Sequence, residues 1–205
     1  LQKTEMKALQ AQINPHFLYN SLSIINWKAI EADEPEISQV TLALSTFYRT
    51  SLNRGETMTT VENELSNIRA YLDIQLIMHD DNFKTTWDVD NDSKDCEVPK
   101  LILQPLVENA IEHGLDASEK EERNLLICIS QDEKTLYLSV CDNGFGMERE
   151  KAEQIVTYHS KGYGVRNVND RLVLLYGEKY GLHVRSKEGE GTCVQIRIPK
   201  NKGEK

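Results

Sequence analysis

The spacing of apolar residues changes near residue 80, and this change limits the folds that the chain can adopt. Up to that point apolar residues recur about every 3.6 residues, the period of a helix with one buried face. Beyond it, residues 83–89 alternate between the two faces of a strand. We therefore predict an α+β chain, with a helical region over residues 1–80 and a helix-and-sheet region over residues 81–205.

Two apolar series within the first region predict a helical hairpin. Asp33-Glu34-Pro35 separates them, and the second stops near Asn53-Arg54-Gly55, where glycine suits a helix C-cap. A third helix is predicted from Thr59, which forms a capping-box pattern with Glu62, to about Met78. Both stripes are wide, so a second copy that completes a dimeric four-helix bundle is the simplest cover for them. The two series are Met6, Leu9, Ile13, Phe17, Ile24 and Trp27, and then Val40, Leu42, Leu44, Phe47, Tyr48 and Leu52.

The second region is predicted to form an α/β sandwich, one mixed sheet with helices on one face. The segment between residues 144 and 162 is flanked by glycines and mixed in composition, which predicts a mobile loop. Helices are predicted over residues 101–115 and 165–176, and strands over residues 83–89, 125–130, 136–141, 182–186 and 192–198.

Composition excludes some classes of partner. The net charge is −9, so a nucleic-acid backbone is not an expected partner. No run of about 18 apolar residues is present, so we expect no membrane-spanning helix within this sequence. The cysteines form no C-x-x-C pair, and we expect reduced thiols that serve as small hydrophobic residues. They are Cys96, Cys128, Cys141 and Cys193.

A histidine stands beside a proline in Asn14-Pro15-His16-Phe17-Leu18-Tyr19-Asn20. His16 shares a polar helix face with Gln12, Asn20 and Ser23, so we expect an exposed imidazole, which is nucleophilic near neutral pH. One interpretation makes Asn14 an N-cap and Pro15 the first helical residue. We favour another, in which the helix starts earlier and Pro15 bends it beside the reactive histidine.

The first of three further motifs spans Gln104 to Gly114. Asn109 and His113 are four residues apart and therefore lie on one face of the predicted helix. An uncharged Asn oxygen suits Mg²⁺, which shares its coordination with waters and phosphates. An ordinary amphipathic helix with a polar outer face explains this motif equally well.

The second motif, Asp142-Asn143-Gly144-Phe145-Gly146-Met147, follows a predicted strand. Glycines let a backbone approach a ligand closely, and a carboxylate at a strand end can accept a hydrogen bond from an amino group. The alternative is an Asn-Gly hairpin turn. We favour the ligand site, because residues 148–151 do not continue as a strand.

The third motif, Gly162-Tyr163-Gly164-Val165-Arg166-Asn167, consists of glycines that run into a helix. The free N–H groups at a helix start bind phosphate well. Glycines before helices are common, so this motif is informative only in combination with the other two.

In this order and spacing the three motifs resemble the N, G1 and G2 boxes of the GHKL (Bergerat-type) ATP-binding fold. Gly189-Glu190-Gly191-Thr192 stands in the place of the last glycine box. With the histidine motif added, nearly the whole chain is similar to the LytS/YesM-like sensor histidine kinases. The resemblance implies ATP and Mg²⁺ as cofactors, with Asn109 as metal ligand and Asp142 bound to the adenine amino group. It further implies that Gly144, Gly146, Gly162 and Gly164 border a flexible lid, that Thr192 belongs to the site, and that His113, Lys161 and Arg166 face phosphates.

The function that this resemblance implies is autophosphorylation of His16 by a homodimer, followed by transfer to an aspartate of a response regulator. Phe17 follows His16 where better-known histidine kinases have an acidic base, so we expect Glu108 to polarise the reacting group and Asn20 to orient a water. Met78-His79 stands where the family's Arg-Phe pair is expected, and His79 is interpreted as a boundary residue.

Two alternatives share the same fold: an ATPase whose nucleotide cycle drives clamping, and a degenerate kinase that serves as a dimeric nucleotide-binding scaffold. The first leaves the His16 motif unexplained. The intact Asn109, Asp142 and glycine motifs argue against the degenerate kinase of the second. From the family we also expect this chain to be the cytoplasmic portion of a membrane-anchored receptor, with the anchor in N-terminal segments outside this sequence.

Overall fold

The computed structural model describes residues 14–52, 56–79, 82–148, 150–152 and 163–201. Within them helices dominate up to residue 79, and a sheet with helices follows. The α+β fold class is confirmed.

The first two helices form the predicted antiparallel hairpin. Helix α1 spans Pro15–Glu31 and helix α2 spans Pro35–Ser51. The Tyr19 hydroxyl donates to the Tyr48 carbonyl at 3.3 Å near one end of the pair. The Ser38 hydroxyl donates to the Asn26 side chain at 2.7 Å near the other. The predicted end of α2 at residues 53–55 lies outside the described residues.

The start of α1 corrects the favoured interpretation of Pro15. Asn14 has extended backbone (φ −75°, ψ 104°), and its side chain accepts the N–H groups of His16 at 3.1 Å and Phe17 at 3.3 Å. Asn14 is therefore an N-cap and Pro15 the first helical residue, where the missing N–H of proline does no harm. The predicted bend at Pro15 is wrong. Met6, Leu9, Gln12 and Ile13 lie outside the described residues.

The third helix, α3, spans Val61–Met78, and its N-cap lies one residue later than the predicted Thr59. Its N-cap is Thr60, whose side chain accepts the Asn63 N–H at 3.3 Å, so the predicted capping box at Thr59 is wrong. Thr59 belongs instead to a short strand, β1 (Met58–Thr60), which pairs with β3 (Glu97–Pro99) in a two-stranded sheet.

A five-stranded mixed sheet forms the second region, in the order β2-β4-β5-β7-β6. The β2–β4 pair is parallel and the other three pairs are antiparallel. The segment after β3 forms α4 (Gln104–Asn109), which continues as a π-helical turn (Ala110–Leu115). Helix α5 spans Tyr163–Tyr176. The strands are β2 (Lys84–Val89), β4 (Asn124–Gln131), β5 (Thr135–Asp142), β6 (Gly181–Lys187) and β7 (Gly191–Pro199).

One face of the sheet builds the core. Leu125, Ile127 and Ile129 of β4 are buried while the residues between them are half-exposed, as expected of a strand covered on one side. Helices α3, α4 and α5 cover that face, with Leu65, Leu106 and Leu172 in the same apolar cluster as the strands. The prediction of helices on one face of a mixed sheet is confirmed.

The hairpin leaves a row of large apolar side chains exposed. Ile24, Trp27 and Ile30 of α1 are 60% exposed or more. Scattered exposed apolar residues are ordinary, whereas a row of them along one helix is typical of an interaction surface. Among the described residues, no helix has the length and the hydropathy needed to cross a bilayer.

The cysteines depart from the prediction of four reduced thiols. Cys141 and Cys193 are directly opposite each other in the β5–β7 pair and are joined by a disulfide. Cross-strand register produced this pairing, which the sequence spacing of 52 residues does not reveal. Cys96, which is buried, and Cys128, which is half-buried, carry thiols as predicted.

Candidate active site

Asp142 is the centre of the candidate nucleotide site. It ends strand β5, and its carboxylate accepts the N–H of Gly144 at 2.9 Å and the N–H of Thr192 at 3.3 Å. Partial burial raises the pKa of the Asp142 carboxyl, while these amide bonds and the charge of Lys120 lower it in part. The amides hold the carboxylate in one orientation, which suits it to accept a further hydrogen bond from a ligand.

Two glycines leave room for this carboxylate. A Cβ on Gly114 would come within 2.6 Å of the Asp142 carboxyl carbon, and a Cβ on Gly144 would come within 2.1 Å of the Gly114 carbonyl oxygen. Neither contact is possible for a real side chain. The first motif, at Gly114, can therefore lie against the second motif, at Asp142 and Gly144, only because both positions are glycine. Gly144 and Asn143 both keep negative φ, which excludes the alternative of a type I′ hairpin turn.

A change of helix type places Asn109 on the same helix face as Gly114, which lies against Asp142. The π-helical turn after Asn109 has the Asp116 N–H bonded to the Ile111 carbonyl, five residues back. In such a turn, residues four and five apart share a face, so Asn109, His113 and Gly114 are aligned. The Asn109 side chain is half-buried and His113 is exposed. Isolated π-turns occur often at functional sites.

Glu108 lies beside Asn109 and is oriented by its own helix. The Gln104 side-chain amide donates to the Glu108 carboxylate at 2.7 Å, one helical turn away. Glu108 is half-buried, so its carboxylate is restrained without being enclosed.

Thr192 is placed next to Asp142 by the sheet register, which pairs the two residues across β5 and β7. Its hydroxyl lies 2.8 Å from the Ser186 hydroxyl, and Ser186 also accepts the Met147 N–H at 2.9 Å. Gly146 has φ +68°, and a Cβ there would lie 2.0 Å from the Lys187 carbonyl. The second motif and the last glycine box are therefore in direct contact.

The sequence interpretation missed Lys120, which contacts the second motif beside this site. The Lys120 ammonium donates to the Asn143 carbonyl at 2.6 Å, and the Asn143 side chain accepts the Asn124 N–H at 2.8 Å. A cleft of about 420 Å³ lies here, lined by residues 117–120, Gly144, Phe145 and Gly189. Lys120 stands outside the three motifs in a charged surface segment, so only the fold could reveal it.

The third motif is described only in part. Lys161 and Gly162 lie outside the described residues, as does most of the predicted loop over residues 144–162. A Cβ on Gly164 would lie 3.2 Å from the Pro105 Cβ, so the start of α5 packs closely on α4. Arg166 is half-buried, with its guanidinium 3.5 Å from the Asp170 carboxylate.

The predicted exposure of His16 is confirmed. Its Nδ1 lies 3.4 Å from the side-chain nitrogen of Asn20, one helical turn away. Phe17 is 72% exposed and contributes no polar group. Within the described part of the chain, Asn20 is thus the polar side chain that contacts the His16 ring.

His79 ends α3 and is a boundary residue, as interpreted. Its Nδ1 lies 3.5 Å from the Asp116 carboxylate, just after the π-helical turn, and its ring packs edge-on against Phe83. His79 therefore ties the end of α3 to the segment that carries Asn109 and Gly114.

Two family models match the chain. The model described as histidine kinase matches residues 4–83. The model described as histidine kinase-, DNA gyrase B-, and HSP90-like ATPase matches residues 95–202.

Similar proteins include sensor histidine kinase YesM of Bacillus subtilis, which is 37% identical over 97% of this chain. Sensor protein LytS of Streptococcus agalactiae serotype V is 38% identical over 95% of this chain. In both comparisons the chain covers 34% of the relative, so it spans about a third of the length of these proteins.

Solved structures share the fold. The catalytic domain of histidine kinase ThkA superposes with a TM-score of 0.56 at 20% identity, over 70% of this chain and 96% of that one. The histidine kinase domain of the blue-light activated histidine kinase EL346 from Erythrobacter litoralis superposes with a TM-score of 0.53 at 17% identity. That match covers 97% of this chain and 94% of the other.

Proposed function

This chain belongs to the histidine kinase-, DNA gyrase B-, and HSP90-like ATPase family. Because it is also similar to the YesM and LytS sensor proteins, we propose that it phosphorylates its own His16 from ATP. The phosphoryl group then passes to an aspartate of a response regulator. The chain spans about a third of its relatives, so the activity and partners of the whole protein are part of this proposal.

One observation carries the proposal: an exposed histidine with a single amide neighbour occurs in the same chain as a carboxylate held between glycine-rich motifs. His16 and Asn20 supply the first part. Asp142, with the Gly144 and Thr192 amides around it, supplies the second. A clamp ATPase or a nucleotide-binding scaffold needs the second part only.

ATP fits the groups around Asp142. A carboxylate that is pinned by two amides can accept the adenine amino group, and the missing side chains at Gly114 and Gly144 leave room beside it. We assign Gly146, Gly162, Gly164 and Thr192 to the same site, and Lys161, Arg166 and His113 to the phosphates.

The residues present also fit Mg²⁺. The Asn109 side chain makes no hydrogen bond to any described residue, and it does not cap the turn that follows it. A half-buried amide oxygen of this kind is a suitable ligand for Mg²⁺, which keeps waters and shares substrate phosphates. When bound, the ion would neutralise charge on the transferred phosphoryl group.

His16 performs the transfer with one ring nitrogen. The nitrogen lone pair forms a bond to the terminal phosphorus of ATP, the bond from that phosphorus to the bridging oxygen breaks, and ADP leaves with the electron pair. The ring proton passes to a base, for which we propose Glu108, because Gln104 already orients its carboxylate.

Asn20 controls which ring nitrogen is free. An amide can face Nδ1 with either its nitrogen or its oxygen. With the oxygen facing, Nδ1–H donates and the Nε2 lone pair is available for attack. The same amide, once His16 is phosphorylated, is placed to orient a water.

We propose a division into a dimerisation and phosphotransfer region over residues 1–80 and an ATP-binding region over residues 81–205. The two family models support two regions with a boundary close to this one, because the first match ends at residue 83 and the second begins at residue 95. The exposed apolar row of the hairpin supports a homodimer. In the whole protein we propose that N-terminal segments anchor this cytoplasmic portion to the membrane.

The direct test is incubation of the purified chain with terminally labelled ATP and Mg²⁺. Phosphohistidine is labile in acid and stable in base, so label with that behaviour is expected in the wild type. His16→Ala should abolish it. His183→Ala removes an exposed histidine on β6 and should leave it unchanged. A second incubation with a response-regulator receiver domain should move the label to that domain.

Label that persists in His16→Ala would exclude His16 as the acceptor. ATP binding without label in the wild type would favour the scaffold. Steady release of phosphate without protein-bound label would favour the clamp ATPase.

A further inference from the structure

Glu64 carries a carboxylate inside the molecule. Its side chain is only 3% exposed and lies on α3 between Val61, Leu65 and Ile68, which are fully buried. A charged group in such surroundings is strongly unfavourable unless hydrogen bonds and opposite charge compensate it. The partners of Glu64 therefore reveal what the carboxylate does.

Those partners are three consecutive backbone amides. The Glu64 carboxylate accepts the N–H of Leu101 at 2.6 Å, of Ile102 at 3.0 Å and of Leu103 at 3.3 Å. These amides immediately precede α4, where a helix start leaves N–H groups without partners. Leu101 has φ +55°, a conformation that leucine rarely adopts unless its surroundings hold it there.

Two cations compensate the charge of Glu64. One lies on a third helix and the other lies in the turn itself. The Arg171 guanidinium on α5 donates to the Lys100 carbonyl, and both Arg171 and Lys100 interact electrostatically with Glu64. Burial raises the pKa of the Glu64 carboxyl, while the three amide bonds and Arg171 lower it in part. One side chain thus connects α3, α4 and α5.

The same helix is tied to the hairpin by a neighbouring polar residue. Asn67, which is 1% exposed, donates to the Thr50 hydroxyl at 2.8 Å and to the Ser51 hydroxyl at 2.9 Å, at the end of α2. Glu64 faces α4 and Asn67 faces α2, so α3 contacts both regions through buried polar groups.

We propose that Glu64 is a positioning residue for the nucleotide site: its carboxylate holds the Leu101–Leu103 turn and thereby sets where α4 presents Glu108 and Asn109. This inference rests on the proposed function, since it assigns ATP to the site that α4 helps to build. A structural role alone would stabilise the fold without affecting the site.

Glu64→Gln and Asn67→Ala are a matched pair for the test. Both replace a buried, hydrogen-bonded polar side chain on α3, but only the first touches the turn before α4. The dissociation constant of ATP with Mg²⁺ is measured by calorimetry on the full chain, at a temperature where circular dichroism shows each variant folded. Hydrogen exchange at the amides of Leu101, Ile102 and Leu103 is measured in parallel.

We expect Glu64→Gln to weaken ATP binding by about 5-fold or more, the range typical of coupling between sites, and to speed exchange at the three amides. Asn67→Ala should bind ATP as the wild type does. Should Glu64→Gln not fold, Glu64→Asp is judged by the same criterion, because its carboxylate is one methylene too short for the amides.

Equal ATP affinity in the wild type and the folded Glu64 variant would overturn the positioning role and leave the proposed kinase intact. Equal weakening by the Glu64 and Asn67 variants would also overturn it, because it would show a general loss of stability. A wild-type chain that binds no ATP would overturn both proposals.

Discussion

The side-chain nitrogen of Asn20 lies 3.4 Å from Nδ1 of His16, one turn along the same exposed helix face. No acidic residue occupies the next position after His16, where Phe17 stands instead. The Asn20 amide is therefore the polar group placed to restrain the ring, and its proposed role is to set the tautomer by presenting its oxygen to Nδ1.

Replacement of Asn20 by alanine should slow autophosphorylation. A hydrogen bond of this kind contributes about 1 kcal/mol, so the initial rate of labelling should fall about fivefold. Initial rates at saturating ATP measure the effect. Ser23→Ala, on the same exposed face, is the matched control and should keep the wild-type rate. Equal rates in all three proteins would show that the amide has no part in the transfer.

Asp142→Asn should weaken ATP binding in a pH-dependent way. Burial raises the pKa of Asp142 above its usual value. As the pH falls, this carboxylate is therefore protonated at a higher pH than an exposed aspartate would be. The affinity advantage of the wild type over Asp142→Asn should be full at neutral pH, about tenfold for a hydrogen bond of about 1.5 kcal/mol to a charged group. It should shrink as the solution becomes acidic. Titrations of both proteins across this pH range decide the matter, and a constant ratio would contradict it.

Gly114→Ala tests the close approach of the two motifs. The new methyl group would displace the Asp142 carboxylate, because its position lies 2.6 Å from the carboxyl carbon. We expect ATP binding to weaken about tenfold or more, which corresponds to about 1.4 kcal/mol. Glu112→Ala, an exposed site in the same π-helical turn, should bind ATP normally. Normal binding by Gly114→Ala would mean that the carboxylate does not need this gap.

Substitutions at Asn14 and Pro15 distinguish a helix that starts at Pro15 from a longer helix that Pro15 bends. As an N-cap, Asn14 should stabilise the helix start, so Asn14→Ala should lower the free energy of unfolding by about 1 kcal/mol, whereas Asn14→Asp should not. Pro15→Ala should change that free energy little, because proline is tolerated at the first helical position. Urea unfolding measures both. A gain of about 3 kcal/mol in Pro15→Ala would instead indicate a proline inside a helix.

Trp27→Ala should weaken the homodimer. Trp27 is 62% exposed, so its truncation should leave the folded chain intact while removing an aromatic anchor from the apolar row. We expect the dimer dissociation constant to rise about tenfold, as measured by sedimentation equilibrium. Leu174→Ala removes another exposed apolar side chain, on α5, and should have no effect. A monomeric wild type would contradict the dimer itself.

Sequence patterns predicted the elements of this fold well because each rests on local periodicity. The strand alternation of β4 and the break at Asp33-Glu34-Pro35 are examples. Pro15 shows where such patterns fail. Its position within an apolar series suggested a continuous helix, whereas the Asn14 side chain provides the hydrogen bonds that begin a new one.

The site was predictable where side chains follow one another in motifs, as Asp142 and Gly144 do. Contacts made across the fold were not. Glu64 lies on α3, whereas the amides that it accepts, from Leu101 to Leu103, are 37 to 39 residues further along the chain. The Cys141–Cys193 disulfide likewise depends on the register of β5 with β7, which no local pattern encodes.

The extended backbone of Asn14 has a mechanical consequence for any stimulus that reaches His16 from the N-terminal side. Helix α1 begins after a residue with ψ 104°, so the helical geometry stops at Asn14, and the Asn14 side chain holds the first amides of the helix. A displacement of the chain at Asn14 would therefore act first on the hydrogen bonds that this side chain accepts from His16 and Phe17. The amide of the reactive histidine is itself one of the two groups that hold the helix start in place.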